Sequence, residues 1–159
     1  MKLPSLRGVR SALSSPSRVL ALRYLFIATA ANLVWEAAQL PLYTIWRTAT
    51  RSELAYALVH CTVGDLVIST AALVIGLLLG ADDLWPVRGY SRVALLASAL
   101  GVSATIVGEW LNVAVWGRWA YAPAMPVLPP FGTGLSPFLQ WLLIPPVAFF
   151  IARPRRSRP

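Results

Sequence analysis

Apolar residues gather in four long stretches, at about 22–43, 54–79, 91–115 and 135–152, separated by short segments rich in polar residues, Gly and Pro. Each is close to the ~20 residues an α-helix needs to cross the hydrocarbon core of a bilayer. The first ends at Pro41, with Tyr43 and Trp46 marking an interface. The second runs out in Gly80-Ala81-Asp82-Asp83, and Pro86 beyond it signals a loop. The third closes on Gly108-Glu109-Trp110-Leu111-Asn112. A connection dense in Pro and aromatic residues, 116–134, then leads to the fourth stretch, which carries Pro145 and Pro146. Prolines stiffen such a connection, and over a cavity mouth it would serve as a lid. The pattern predicts an all-α polytopic membrane protein. Its four-helix transmembrane domain covers 20–152, between basic tails at 1–19 and 153–159. Ala28-Thr29-Ala30 resembles a signal-peptide cleavage site, but Arg23 interrupts the run before it and the run continues to Trp35. An uncleaved first span is the expectation.

The polar positions inside these stretches are ordered as well. Asn32, Glu36, Gln39 and Tyr43 are spaced four, three and four apart, which sets them on one helical face. Thr105, Glu109, Asn112 and Trp116 form a similar stripe on the third span. At 1.5 Å per residue, Glu36 lies ~10 Å below the interface marked by Tyr43. His60 on the second span, Glu109 on the third and Gln140 on the fourth come to about the same depth, with Asp65 and Asn32 nearer the midplane. Asp65 shares a face with Cys61, Thr62 and Ser69, whereas His60 points about 140° away from it at 100° per residue. His60 and Asp65 are therefore expected to flank a cavity rather than to touch. Trp35, Trp110 and Trp141 adjoin this layer, while the other tryptophans read as interface residues.

Composition sharpens the class. The chain is 57% hydrophobic and only 13% charged, against about one quarter charged in a soluble domain. The net charge of +8 does not indicate nucleic acid, because the basic residues crowd the two ends, where they act as topology signals and contacts to anionic lipids. Arg47, Arg51 and Arg118 alone fall on one side of the membrane; the N-terminus, the loop with Arg88 and Arg92, and the Arg-rich C-terminus fall on the other. Both termini are expected to be cytoplasmic, with the 43–53 and 116–134 loops outside. A single cysteine, Cys61, excludes an intrachain disulfide.

The blocks Trp35-Glu36, Gln39-Leu40-Pro41-Leu42-Tyr43, His60-Cys61, Gly64-Asp65, Glu109-Trp110-Leu111-Asn112 and the run from Trp116 to Trp141 resemble a family of small four-span bacterial inner-membrane proteins. That resemblance covers roughly 25–152 and implies a location, with no activity attached. Glu36, Glu109-Trp110 and the Trp141…Pro145 ending also bear a likeness to the emopamil-binding and sigma-2-receptor group, in which acidic residues line an apolar sterol pocket.

Four functions compete. The first is a pocket near the outer leaflet that binds or transforms a small lipid-like or isoprenoid-like molecule. There Glu36 and Glu109 act as an acid–base pair, His60 or Asp65 positions a proton, and Asn32, Gln39, Tyr43, Asn112, Gln140, Trp110 and Trp141 contact the ligand. The second is proton or small-cation transport through the same layer. The third is a metal centre, for which Glu36, His60, Asp65 and Glu109 are acceptable ligands, although no ligand spacing supports it. The fourth is an assembly protein whose amides act as packing glue. Three carboxylates and one histidine cannot all pair off, which favours a site over glue. Ligand, cofactor and oligomeric state stay open at this point.

Overall fold

A computed structural model describes residues 15–82 and 84–153. Helix α1 (Ser15–Gln39) runs into a 3-10 turn, Leu40–Leu42, and a single helical turn, α2 (Ile45–Thr48). Then come α3 (Arg51–Gly80) and α4 (Tyr90–Glu109), a turn of π-helix, Trp110–Val115, two short strands, β1 (Val127–Leu128) and β2 (Thr133–Gly134), and α5 (Leu135–Ala152). The fold is all-helical, with four helices long and apolar enough to cross a membrane, of 26, 30, 26 and 18 residues once the flanking turns are included.

Helix ends follow local chemistry. Thr50 and Glu53 form a capping box at the start of α3: the Thr50 hydroxyl accepts the Glu53 N–H at 3.3 Å, and the Glu53 carboxylate accepts the Thr50 N–H at 2.7 Å. Gly89 precedes α4 with φ of +73°, and a Cβ there would lie 3.0 Å from the Gly80 carbonyl oxygen, so only glycine fits this tight return. Helix α1 begins at Ser15, inside the stretch that the sequence assigns to a tail. The reason is its buried stripe: Ser17 and Leu20 extend the same face as Tyr24 and Ala28.

The helices close a ring in which α1 packs on α3 and α5, and α4 packs on the same two. Every inward stripe changes character along its length. At one end sit Leu20, Tyr24 and Ala28 of α1, Ala72 and Leu73 of α3, Val93 and Ala97 of α4, and Ala148 and Phe149 of α5. Tyr24 stacks on Phe149 with ring centroids 4.0 Å apart, and the Tyr90 hydroxyl donates to the Phe149 carbonyl. Here α3 and α4 come closest: a Cβ on Gly76 would be 3.2 Å from the Val93 carbonyl oxygen. Further along, the same stripes become Asn32, Glu36 and Gln39, then Thr62, Asp65 and Ser69, then Thr105, then Gln140 and Trp141. The outer surface is the reverse of a soluble protein's, with Phe26 76% and Phe150 80% exposed amid Leu22, Val34, Val67, Leu79 and Leu95.

Candidate functional site

The polar half of the bundle encloses a cavity of about 490 Å³, partly open to the outside and mostly apolar in its lining. Its centre is a network held by Gln140. The carboxamide nitrogen of Gln140 donates to Asp65 Oδ2 at 2.9 Å, Glu36 Oε1 at 3.1 Å and Asn32 Oδ1 at 3.2 Å, and its oxygen accepts from Gln39 Nε2 at 3.1 Å. Gln39 Nε2 also donates to Glu36 Oε1 at 2.8 Å. Behind it, Trp35 Nε1 donates to Ser136 Oγ at 3.1 Å, and Ser136 donates to Gln39 Oε1 at 2.8 Å. Three helices thus meet at one buried amide. The Glu36 and Asp65 carboxyl groups thus share one donor, Gln140 Nε2.

Trp141 owes its place to Gly101. A Cβ on Gly101 would lie 2.2 Å from Trp141 Cε3, so the indole packs flat on the bare backbone of α4.

A second polar pole faces the first. The Tyr121 hydroxyl donates to Glu109 Oε2 and accepts the Gly134 N–H, the latter at 2.8 Å. Burial and the neighbouring Glu109 push the Tyr121 phenol above its ordinary range, so it keeps its proton and acts as the donor. Burial does the same to Tyr43. The Trp119 indole lies beside Glu109, yet its buried N–H makes no hydrogen bond of acceptable geometry. The Thr105 hydroxyl, buried on the cavity wall, has no partner either.

The 116–134 connection is fastened over one end of this cavity. The Thr44 N–H donates to the Ala120 carbonyl at 3.0 Å and the Ala122 N–H to the Leu42 carbonyl at 2.9 Å, which pairs Tyr43 with Tyr121. Arg118 and Trp119 line the cavity from this segment. The exposed members of the lining are Tyr56, His60 and Gly64, four apart along α3, together with Arg118, so the opening follows that face of α3. Gly64 and Gly108 both adjoin open space: a side chain added at either would meet nothing within 4 Å.

Of the residues singled out from the sequence, Glu36, Gln39, Tyr43, His60, Asp65, Glu109, Asn112, Gln140 and Trp141 all line this cavity. Asn32 supports it from behind as an acceptor for Gln140. Tyr43 arrives by a different route from the one expected, because α1 ends at Gln39 and Tyr43 has extended backbone. His60 sits at the rim, its ring stacked on Tyr56 at 5.5 Å, and stands apart from the Gln140 network. Asn112 turns its amide back onto the Gly108 carbonyl at 2.8 Å. Two expectations fail. Trp110 is 43% exposed and faces a shallow apolar groove with Ile106 and Phe131. Trp116 leaves the Thr105–Glu109–Asn112 stripe and stacks under Arg118 at 4.5 Å. Trp110 lies about 100° round the helix from Glu109, and Trp116 is displaced by the π-helical turn, whose wider winding rotates what comes after it. The sequence also marked Trp119 as an interface residue and left Tyr121 and Ser136 unassigned. The first two lie in an irregular segment where no periodicity marks a facing side; Ser136, four before Gln140 on α5, could have been found by spacing.

Among the described residues, no group of three His, Cys, Asp or Glu side chains converges to hold a metal ion. No protein-family model, curated protein or solved structure matches the chain.

Proposed function

We propose that this is a multi-pass protein of a bacterial inner membrane, with both termini cytoplasmic, that binds or transforms a small lipid-like or isoprenoid-like molecule in a polar pocket near the outer leaflet. The observation that carries this reading is the cavity itself. Its volume of about 490 Å³ lies within the ~300–1,000 Å³ usual for small-molecule sites, and an apolar lining with a few convergent polar groups is their common make-up. Lipid is the medium in which the apolar exterior and the four long helices make sense. Carboxyl groups at such depth are kept for function far more often than for packing. In the catalytic form of this reading Glu36 and Glu109, both on the cavity lining, act as the acid–base pair, and His60 or Asp65 positions a proton.

The chain of donors from Trp35 to Asp65 favours a second reading, proton or small-cation transport. Against it, the other half of the bundle is filled by Tyr24, Phe149, Leu73, Val93 and Ala97. A polar path across one chain would have to breach that core.

Native mass spectrometry of the purified protein, with lipidomic and elemental analysis, separates the readings. A bound lipophilic molecule lost in both Glu36→Gln and Glu109→Gln is the expected result. A ligand-free bundle unchanged by either substitution would remove the pocket reading and leave transport or an assembly role.

A further inference from the structure

The two poles of the cavity differ in one respect. The Gln140 pole is satisfied from within, whereas the Glu109 pole is left with buried groups that lack partners. Thr105 is only 7% exposed. Other hydroxyls on these helices bond back to the carbonyl four residues earlier: Thr62 to Leu58 at 2.8 Å, Thr70 to Leu66 at 2.7 Å, Ser98 to Ala94 at 2.8 Å and Ser103 to Ala99 at 2.9 Å. Thr105 forgoes that bond and stands on the cavity wall, one helical turn from Glu109. Trp119 brings a buried indole N–H beside the same carboxylate, in a geometry too poor for a full hydrogen bond. Leaving such groups unmade costs stability unless something else fills the need.

We infer that the Glu109, Thr105 and Trp119 side chains form a subsite for the hydroxyl group of a neutral aliphatic alcohol, whose hydrocarbon body lies along the apolar wall toward the α3 opening. This rests on the pocket reading above and names its ligand class. An indole N–H can only donate, so the ligand must accept there; the Thr105 hydroxyl and Glu109 Oε1 can both accept, so a ligand group that also donates satisfies all three. A hydroxyl does both. An ammonium group has no lone pair for Trp119. A carbonyl or ether has no proton for Glu109. A carboxylate or phosphate would lie among the carboxyl groups of Glu36, Asp65 and Glu109 with no arginine or lysine inside the cavity to meet it, since Arg118 stands out at the exposed rim.

The test uses the full chain in lipid nanodiscs and a dodecanol carrying a diazirine, photo-crosslinked and mapped by mass spectrometry. Competitors are dodecanol, dodecyl methyl ether, dodecylamine and dodecane. Labelling of cavity residues, with dodecanol competing about five- to tenfold better than the ether, amine and alkane, is the expected result, the size of one or two net hydrogen bonds. Trp119→Phe and Thr105→Val keep the shape of the site and should each erode that preference, while the labelled positions persist. Thr70→Val, whose exposed hydroxyl bonds the Leu66 carbonyl away from the cavity, should leave the preference in place. Equal competition by all four compounds in the wild-type protein would overturn the alcohol subsite while the pocket survived. A wild-type preference untouched by both Trp119→Phe and Thr105→Val would place the hydroxyl elsewhere and overturn it too. Absence of any cavity labelling would overturn the pocket and the subsite together.

Discussion

Gln140 on α5 reaches across the centre of the bundle to Asp65 on α3, its amide nitrogen 2.9 Å from the carboxylate oxygen. The same nitrogen serves Glu36 and Asn32 of α1, so one neutral side chain holds three helices in register. Replacing it by leucine, close in size, removes the donor from all three acceptors at once. Gln140→Leu should lower stability by about 1–3 kcal/mol, the usual cost of stranding a buried polar group. Thermal unfolding in nanodiscs is the readout, and an unchanged Tm would mean that water takes over the role of the amide.

Gly101, beneath Trp141, and the cavity glycines Gly64 and Gly108 should respond with opposite signs. An alanine at Gly101 has to displace the Trp141 ring, whose Cε3 lies 2.2 Å from the new Cβ. Overpacking of that kind costs about 1–3 kcal/mol. Gly64→Ala and Gly108→Ala meet open space, and should be neutral or stabilise by up to about 1 kcal/mol through reduced freedom of the unfolded chain. Comparing the three Tm values decides the matter; a loss at Gly64 as large as at Gly101 would contradict the open wall.

Tyr121 pins the 116–134 segment by bonding both Glu109 and the Gly134 N–H. Tyr121→Phe should cost about 1 kcal/mol and speed hydrogen exchange at the Gly134 amide, which loses its acceptor. Exchange at that amide as slow as in the wild type would show that the pin is not what protects it.

The pin also sets a pH dependence. The folded state raises the Tyr121 phenol above its ordinary value of 10.0, so the unfolded chain gives up this proton first. Stability is then insensitive to this group up to about pH 9 and falls as pH rises beyond about 10. The fall should be shallower in Tyr121→Phe than in the wild type. Identical alkaline slopes in the two proteins would exclude Tyr121 as the source.

The start of α3 gives a check independent of any ligand. Thr50→Ala removes the hydroxyl that accepts the Glu53 N–H, and should lower stability by about 0.5–2 kcal/mol. A Tm equal to wild type would mean that water caps this helix equally well.

The four long apolar helices were legible because long apolar runs have few other uses, and the polar face of α1 because Asn32, Glu36 and Gln39 keep helical spacing. That reasoning assumes 3.6 residues per turn. It holds through α1, α3 and α5, and it fails past the π-helical turn, where the changed winding carries Trp116 away from the Glu109 stripe. No residue type announces a π-helical turn in advance. Trp119 and Tyr121 escaped because their direction is fixed by pairing with the Leu42–Thr44 segment, a contact between positions far apart in sequence. His60 is exposed and Asp65 buried on the same helix, and helical spacing sets an angle of about 140° between them. Which of the two faces turned inward depends on packing between helices.

Helices α3 and α4 touch backbone to backbone at Gly76 and Val93 and part company by Gly64 and Gly108. In a bilayer such a wedge faces acyl chains rather than water. A guest would then exchange with the surrounding lipid, and its occupancy would follow its mole fraction in the membrane instead of its aqueous concentration. Diluting the protein in buffer would not empty the cavity; diluting it with lipid would.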